Sequence, residues 1–156
     1  MILQFTELKK ETEARAKNII LKGLEEHWGT YNEAYNPDVS DLFNTYGSNC
    51  IVAWIDETMV GTGCWYRKDS NTAFICRMSV ISDLRRKKLG SQILAEVERR
   101  INSQQFRFVE LETTSSWKNV VRFYLMNGYR VNHETEGNTY FIKDLSTEPH
   151  LTYTCS

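Results

Sequence analysis

At 156 residues, with 41% hydrophobic and 25% charged residues, the chain has the length and balance of one ordinary globular domain with a sizeable core. A formal net charge of −1 excludes a global field that would gather nucleic acid or anionic lipid, so any anion site has to come from local geometry. The start Met1-Ile2-Leu3-Gln4-Phe5-Thr6-Glu7 lacks the features of a signal peptide, and no stretch reaches the roughly 18 apolar residues of a membrane span, so a cytoplasmic protein without membrane contact is expected.

Residues Ile2 to Leu8 read as a first strand. Ala14, Ala16, Ile19, Ile20, Leu24 and Trp28 then recur at a helical period, and Gly29 suits the C-terminal end of that helix. Thr30 to Asp38 reads as loop, with Pro37-Asp38 opening a short helix through Leu42, Phe43 and Tyr46. Cys50 to Ile55, Met59 to Tyr66 and Thr72 to Val80 are three strands separated by the polar turns Asp56-Glu57-Thr58 and Lys68-Asp69-Ser70-Asn71, which implies an antiparallel meander.

The pattern then changes. After a basic loop, Leu89, Ile93, Leu94, Val97 and Ile101 mark the apolar face of a helix. Phe106 to Leu111 is a strand, Trp117 to Met126 a helix closed by Asn127-Gly128, and Tyr129 to His133 with Thr139 to Lys143 a final hairpin. The strand–helix–strand unit requires at least one parallel crossover. The expected organisation is one α/β domain over residues 1–146 and a C-terminal tail over 147–156. Cys50, Cys64, Cys76 and Cys155 form no C-x-x-C pair, and the first three lie in apolar runs; free thiols in a reducing cytosol are expected, and no metal site.

The segment Val80-Ile81-Ser82-Asp83-Leu84-Arg85-Arg86-Lys87-Lys88-Leu89-Gly90-Ser91 leaves a strand and enters a helix. The first turn of a helix carries unpaired N–H groups and the positive end of the dipole, a ready anion site. Gly90 permits close backbone approach, and Arg85 to Lys88 add cationic charge where phosphates would sit. By itself such a run also reads as a solvated basic loop or a nucleic-acid patch.

In its surroundings the segment resembles the GNAT superfamily of N-acetyltransferases, whose signature is Gln/Arg-x-x-Gly-x-Gly/Ala between a strand and an amphipathic helix. Arg85-Arg86-Lys87-Lys88-Leu89-Gly90 occupies that pattern, with Lys88 at the middle glycine and Ser82 in place of the usual proline. Met59-Val60-Gly61-Thr62-Gly63, Arg77-Met78-Ser79-Val80, Phe123-Tyr124-Leu125-Met126-Asn127-Gly128-Tyr129 and Phe141-Ile142-Lys143-Asp144-Leu145 resemble further family segments. The order of elements agrees over residues 2–145. Gly23 to Gly29 with Asn36-Pro37-Asp38 resembles a bacterial branch acting on small substrates. The resemblance implies a mixed, mostly antiparallel sheet of roughly seven strands, with a parallel, splayed fourth and fifth strand and about four helices.

It also implies acetyl-CoA as co-substrate. Pantetheine would lie along Met78, Ser79 and Val80, and the pyrophosphate on the loop Arg85, Arg86, Lys87, Lys88, Leu89, Gly90 and Ser91. A strand N–H near Met78 would stabilise the oxyanion. Tyr124 matches the general acid. A thiol near pKa 8.5 and a phenol near 10 lie close enough for proton transfer. Trp117 stands where many members place an asparagine; Asn119 is the nearby candidate for that cofactor contact. The usual carboxylate of the fourth strand is replaced by Phe74, so Glu110, Glu112, Glu25, Glu26, His27 or a water chain is left as base. Trp28, Tyr31 and Glu112 are the candidates for acceptor binding.

The acceptor reading favoured is a primary amine of a small molecule or amino acid, attacking directly in a ternary complex. Protein or peptide acetylation, a non-catalytic acyl-CoA-binding module and a nucleic-acid adaptor using Arg85 to Lys88 stay open. A homodimer through the edge of the last hairpin is compatible with the pattern and not specified by it.

Overall fold

The structure, a computed structural model, describes residues 2–29, 36–84 and 88–147. Seven strands form one sheet in the order β1-β2-β3-β4-β5-β7-β6, with β4 and β5 as its parallel pair. The chain divides into two compact units, Met1–Tyr66 with Arg77–Val97, and Arg67–Cys76 with Glu98–Ser156.

In the first unit, β1 (Leu3–Glu7) pairs antiparallel with β2 (Cys50–Ile55), and β2 with β3 (Thr58–Arg67). Helix α1 (Glu13–Trp28) ends as its glycine predicts: Gly29 is left-handed at φ 76° and donates its N–H to the Glu25 carbonyl at 2.7 Å. Pro37–Asp41 forms a 3₁₀ turn that leads into the short α2 (Leu42–Tyr46). Ala16, Ile20, Val39 and Leu42 are buried with Ile51, Val52 and Val60 of the strands. The first half of α3 (Leu89–Ser103) brings Ile93 and Val97 against β3, where Gly61 and Gly63 leave the space they occupy.

In the second unit, Thr72–Phe74 of β4 (Thr72–Val80) pair in parallel with Phe108–Glu110 of β5 (Phe108–Thr114). Strand β5 pairs antiparallel with β7 (Asn138–Asp144), which pairs with β6 (Arg130–Thr135). Helix α4 (Lys118–Met126) comes after β5, with Trp117 at its N-cap. Val109, Leu111, Phe141 and Leu145 are buried together with Ile101 of α3.

Two details depart from expectation. The fifth strand begins at Phe108, because Gln105 turns left-handed (φ 71°) and Phe106 is buried in that turn under the Arg67 guanidinium, 4.5 Å from its ring centroid. In β4, Ile75 is buried and Phe74 half-buried, and Cys76 to Val80 are all half-buried, so burial does not alternate along the strand. Cys50 and Cys64 are buried free thiols on facing positions of β2 and β3, with Sγ atoms 2.7 Å apart. Cys76 is a half-buried free thiol, and Cys155 lies outside the described residues. Among the described residues no helix is long and apolar enough to cross a membrane.

Candidate active site

The end of β4 is anchored by its neighbour. Ile81 donates its N–H to Val60 of β3 at 2.9 Å, and Ser82–Leu84 then make a 3₁₀ turn. Arg85, Arg86 and Lys87 lie outside the described residues, as does Tyr31. The chain reappears at Lys88, which is left-handed at φ 62°. A glycine at this place in the family pattern therefore has a conformational reason, and this chain meets the same backbone requirement with a lysine. Leu89 is buried at the start of α3, and Gly90 and Ser91 are half-buried in its first turn, where helix geometry leaves N–H groups without intrahelical acceptors.

Met78, Ser79 and Val80 are all half-buried. The residue before them, Arg77, is also left-handed, at φ 53° in the middle of the strand. Thr62 Oγ1 donates to its carbonyl at 2.9 Å. Its guanidinium grips Asp38 with two bonds, Nε to Oδ2 at 2.8 Å and Nη2 to Oδ1 at 2.7 Å, and reaches Asn36 Oδ1 at 3.2 Å. Tyr46 donates its hydroxyl to the same carboxylate at 2.7 Å. Burial raises the Asp38 pKa, but the bonds from Arg77 and Tyr46 outweigh it and hold the group below its ordinary value. A cavity of about 520 Å³ lies in this unit, lined by Lys22 and Glu26 of α1, Glu57 of the β2–β3 turn, and Val80 and Ser82 beyond the kink.

In the second unit, Tyr124 is buried on α4, 7% exposed, with its ring edge-on to Tyr129 and tilted against Phe141. As a ring it is a core residue. Its hydroxyl is a different matter: among the described residues it has no hydrogen-bond partner, and burial alone pushes the phenol above its ordinary pKa. The group therefore stays protonated through the neutral range.

The candidate bases separate. Glu110 is 6% exposed and held by Lys68 Nζ at 2.5 Å, so it is a paired structural charge. Glu112 is exposed on β5 opposite Tyr140. Glu25, Glu26 and His27 are exposed at the end of α1, next to Trp28, which is 59% exposed. Asn119 is exposed in the first turn of α4, where the Trp117 carbonyl accepts from Val120 and Val121 at 3.0 Å each.

Sequence reasoning did not find the Arg77–Asp38 grip. Its one local signal is an arginine in an otherwise apolar strand, paired with the aspartate of an Asn-Pro-Asp turn.

A family model described as the acetyltransferase (GNAT) family matches residues 18–129, more than half of the chain. Among curated proteins, none matches the sequence. Several solved structures share the fold. An acetyltransferase of the GNAT family from Staphylococcus aureus Mu50 has a TM-score of 0.82 at 19% identity, covering 92% of this chain and 99% of its own. The PaiA N-acetyltransferase of Thermoplasma acidophilum in complex with coenzyme A has a TM-score of 0.77 at 17% identity, over 92% and 99%. The ribosomal-protein-S18-alanine N-acetyltransferase of Escherichia coli has a TM-score of 0.72 at 14% identity, over 94% and 96%. With the family match, the strand order and the parallel β4/β5 pair in agreement, the chain belongs to the acetyltransferase (GNAT) family and is an acetyl-CoA-dependent acetyltransferase.

Proposed function

We propose that this enzyme transfers the acetyl group of acetyl-CoA to a primary amine of a small molecule or amino acid, by direct attack within a ternary complex. Pantetheine lies along Met78, Ser79 and Val80. The pyrophosphate is held by main-chain N–H groups from Arg86 to Ser91, with Arg85 to Lys88 adding charge and Asn119 available at the start of α4. Trp28, Tyr31 and Glu112 border the acceptor.

The amine nitrogen attacks the thioester carbonyl, whose oxygen takes up negative charge beside a strand N–H near Met78. As the C–S bond breaks, Tyr124 gives its proton to the departing thiolate. An alkyl amine is protonated at neutral pH and must first lose a proton. With Glu110 committed to Lys68, Glu112, Glu25, Glu26, His27 or a water chain is left to accept that proton.

The observation that carries this reading is the buried Tyr124 hydroxyl without a partner among the described residues. A buried donor left unpaired costs about 1–3 kcal/mol, so a chain keeps one where something else will accept from it. A thiolate leaving the thioester is such an acceptor. Strand β6, a sheet edge with every residue exposed, is the surface for any homodimer.

The test is Tyr124→Phe, assayed by release of free CoA thiol. Turnover is expected to fall at least ~10²-fold while calorimetric affinity for CoA is retained. Unchanged turnover across the pH range removes Tyr124 as the acid. A panel of amines, polyamines, amino acids and peptides separates small-molecule from peptide acetylation.

A further inference from the structure

Four described residues other than glycine have positive φ: Asp56, Arg77, Lys88 and Gln105. Asp56, Lys88 and Gln105 sit in turns; Arg77 sits inside a strand. A left-handed L-residue costs roughly 1–2 kcal/mol and persists only where the surroundings over-determine it. Arg77 is over-determined at both of its ends. Thr62, fully buried on β3, holds the main-chain carbonyl. Asp38, from the turn before α2, holds the guanidinium in a two-bond fork and is itself fixed by Tyr46. Both partners of the ion pair are 20% exposed, which shields the pair from the screening that weakens surface bridges. The planar fork also fixes direction, which a point-like ammonium would not.

None of these groups touches the reacting atoms in the proposed mechanism. Their geometric consequence falls on the next peptide. A left-handed residue interrupts the regular strand and re-aims the peptide after it. In this strand that peptide carries the N–H of Met78.

We infer that Arg77 and Asp38 are positioning residues: their ion pair holds the left-handed kink of β4 and so presents the Met78 N–H to the thioester oxygen. This rests on the reading that pantetheine lies along Met78–Val80. The pair also ties the segment between α1 and α2 to the strand proposed to carry the acyl donor.

The role separates from mere stability by comparing two unreactive ligands that differ in one carbonyl. The ketone analogue S-acetonyl-CoA carries a carbonyl oxygen where S-propyl-CoA has a methylene. Calorimetry on the wild-type enzyme is expected to give tighter binding of the ketone. Asp38→Asn is expected to keep its affinity for S-propyl-CoA within about 2-fold, to lose the ketone's advantage, and to lower kcat about 10- to 100-fold with little change in acceptor KM. Asp38→Glu, which keeps the charge, is expected to recover part of kcat. Should Asp38→Asn not fold, Arg77→Lys takes its place, since it keeps a cation and loses the fork. A wild-type preference for the ketone that survives unchanged in these variants overturns the inference and leaves the pantetheine reading standing. Equal binding of the two ligands by the wild type also overturns the inference, and failure of both to bind overturns the pantetheine reading with it.

Discussion

The Lys143 ammonium lies 3.0 Å from the Glu98 carboxylate, with 10% and 11% of their side-chain surfaces exposed. The other Glu98 oxygen accepts from the Tyr129 hydroxyl at 2.6 Å, and Lys143 donates to the Asn127 carbonyl at 2.9 Å. The lysine thus supplies a cation just past the C-terminus of α4, where the helix dipole and unpaired carbonyls favour one. Tyr129 in turn donates its N–H to the Tyr124 carbonyl at 3.1 Å, so the network braces the turn that carries Tyr124. Breaking a buried pair leaves an uncompensated charge. Lys143→Met is expected to lower stability in urea by about 3–5 kcal/mol, and the double variant with Glu98→Leu to cost less than the sum of the two. Additive losses would show that the two side chains do not act as a pair.

Much of the fold is legible locally. Strand β2 (Cys50–Ile55) and β4 (Thr72–Val80) have the bounds their apolar runs predict, since Asp56-Glu57 and Ser70-Asn71 are turn formers that mark the ends. Gly29 stops α1 by the same kind of local chemistry. The kink at Arg77 has no such signal. It is imposed by Thr62, 15 residues away, and Asp38, 39 residues away, and arginine has no intrinsic preference for positive φ. Glu98 and Lys143 look like solvated charges on amphipathic elements, and Glu110 looks like a free carboxylate until Lys68 is found beside it. Partners brought together from distant segments are what a linear reading does not reveal.

A methyl group at Gly61 would run into Ile93 Cδ1 and lie 2.8 Å from the Ser79 carbonyl oxygen. The isoleucine end can rotate away, but the carbonyl belongs to β4 and moves only with the strand. Gly61→Ala is therefore expected to cost about 1–3 kcal/mol by overpacking. It should also raise KM for acetyl-CoA, because Ser79 lies on the strand proposed to hold pantetheine. Gly47→Ala is the control: a methyl there meets nothing within 4 Å, so only the cost of its positive φ remains and KM should not change. A Gly61→Ala enzyme with wild-type KM would place the pantetheine elsewhere.

Asp38 and Asp144 are two of the aspartates whose depressed pKa values contribute to the acid limb of stability. The Arg107 and Ser146 bonds to Asp144 hold its pKa at about 2, and Asp38 is also held below its ordinary value of 3.8. A carboxylate whose folded pKa is depressed contributes stability that is present above the unfolded value and is lost as pH falls toward the folded one. Tm is expected to be insensitive to these two groups at pH 5 and above, and to fall from about pH 4 toward pH 2. Asp38→Asn and Asp144→Asn should each flatten that fall in a thermal melt series. An unaltered acid limb in the double variant would mean that other carboxylates control it.

Lys88 occupies a left-handed backbone at φ 62°, immediately before α3. Glycine adopts that conformation without the Cβ clash that any other side chain meets, so Lys88→Gly is expected to raise stability by about 1 kcal/mol. Lys88→Val should lower it by more than that, because a β-branched side chain tolerates positive φ least. The effect on the cofactor runs the other way if the ammonium reaches a phosphate. Lys88→Gly would then weaken binding of CoA, and the loss would shrink with added salt, while dephospho-CoA and CoA report which phosphate is involved. A more stable variant with unchanged CoA affinity at low salt would show that Lys88 serves only the turn. A variant that gains stability and loses affinity would show a lysine kept, despite its strain, for the charge it brings to the start of the helix.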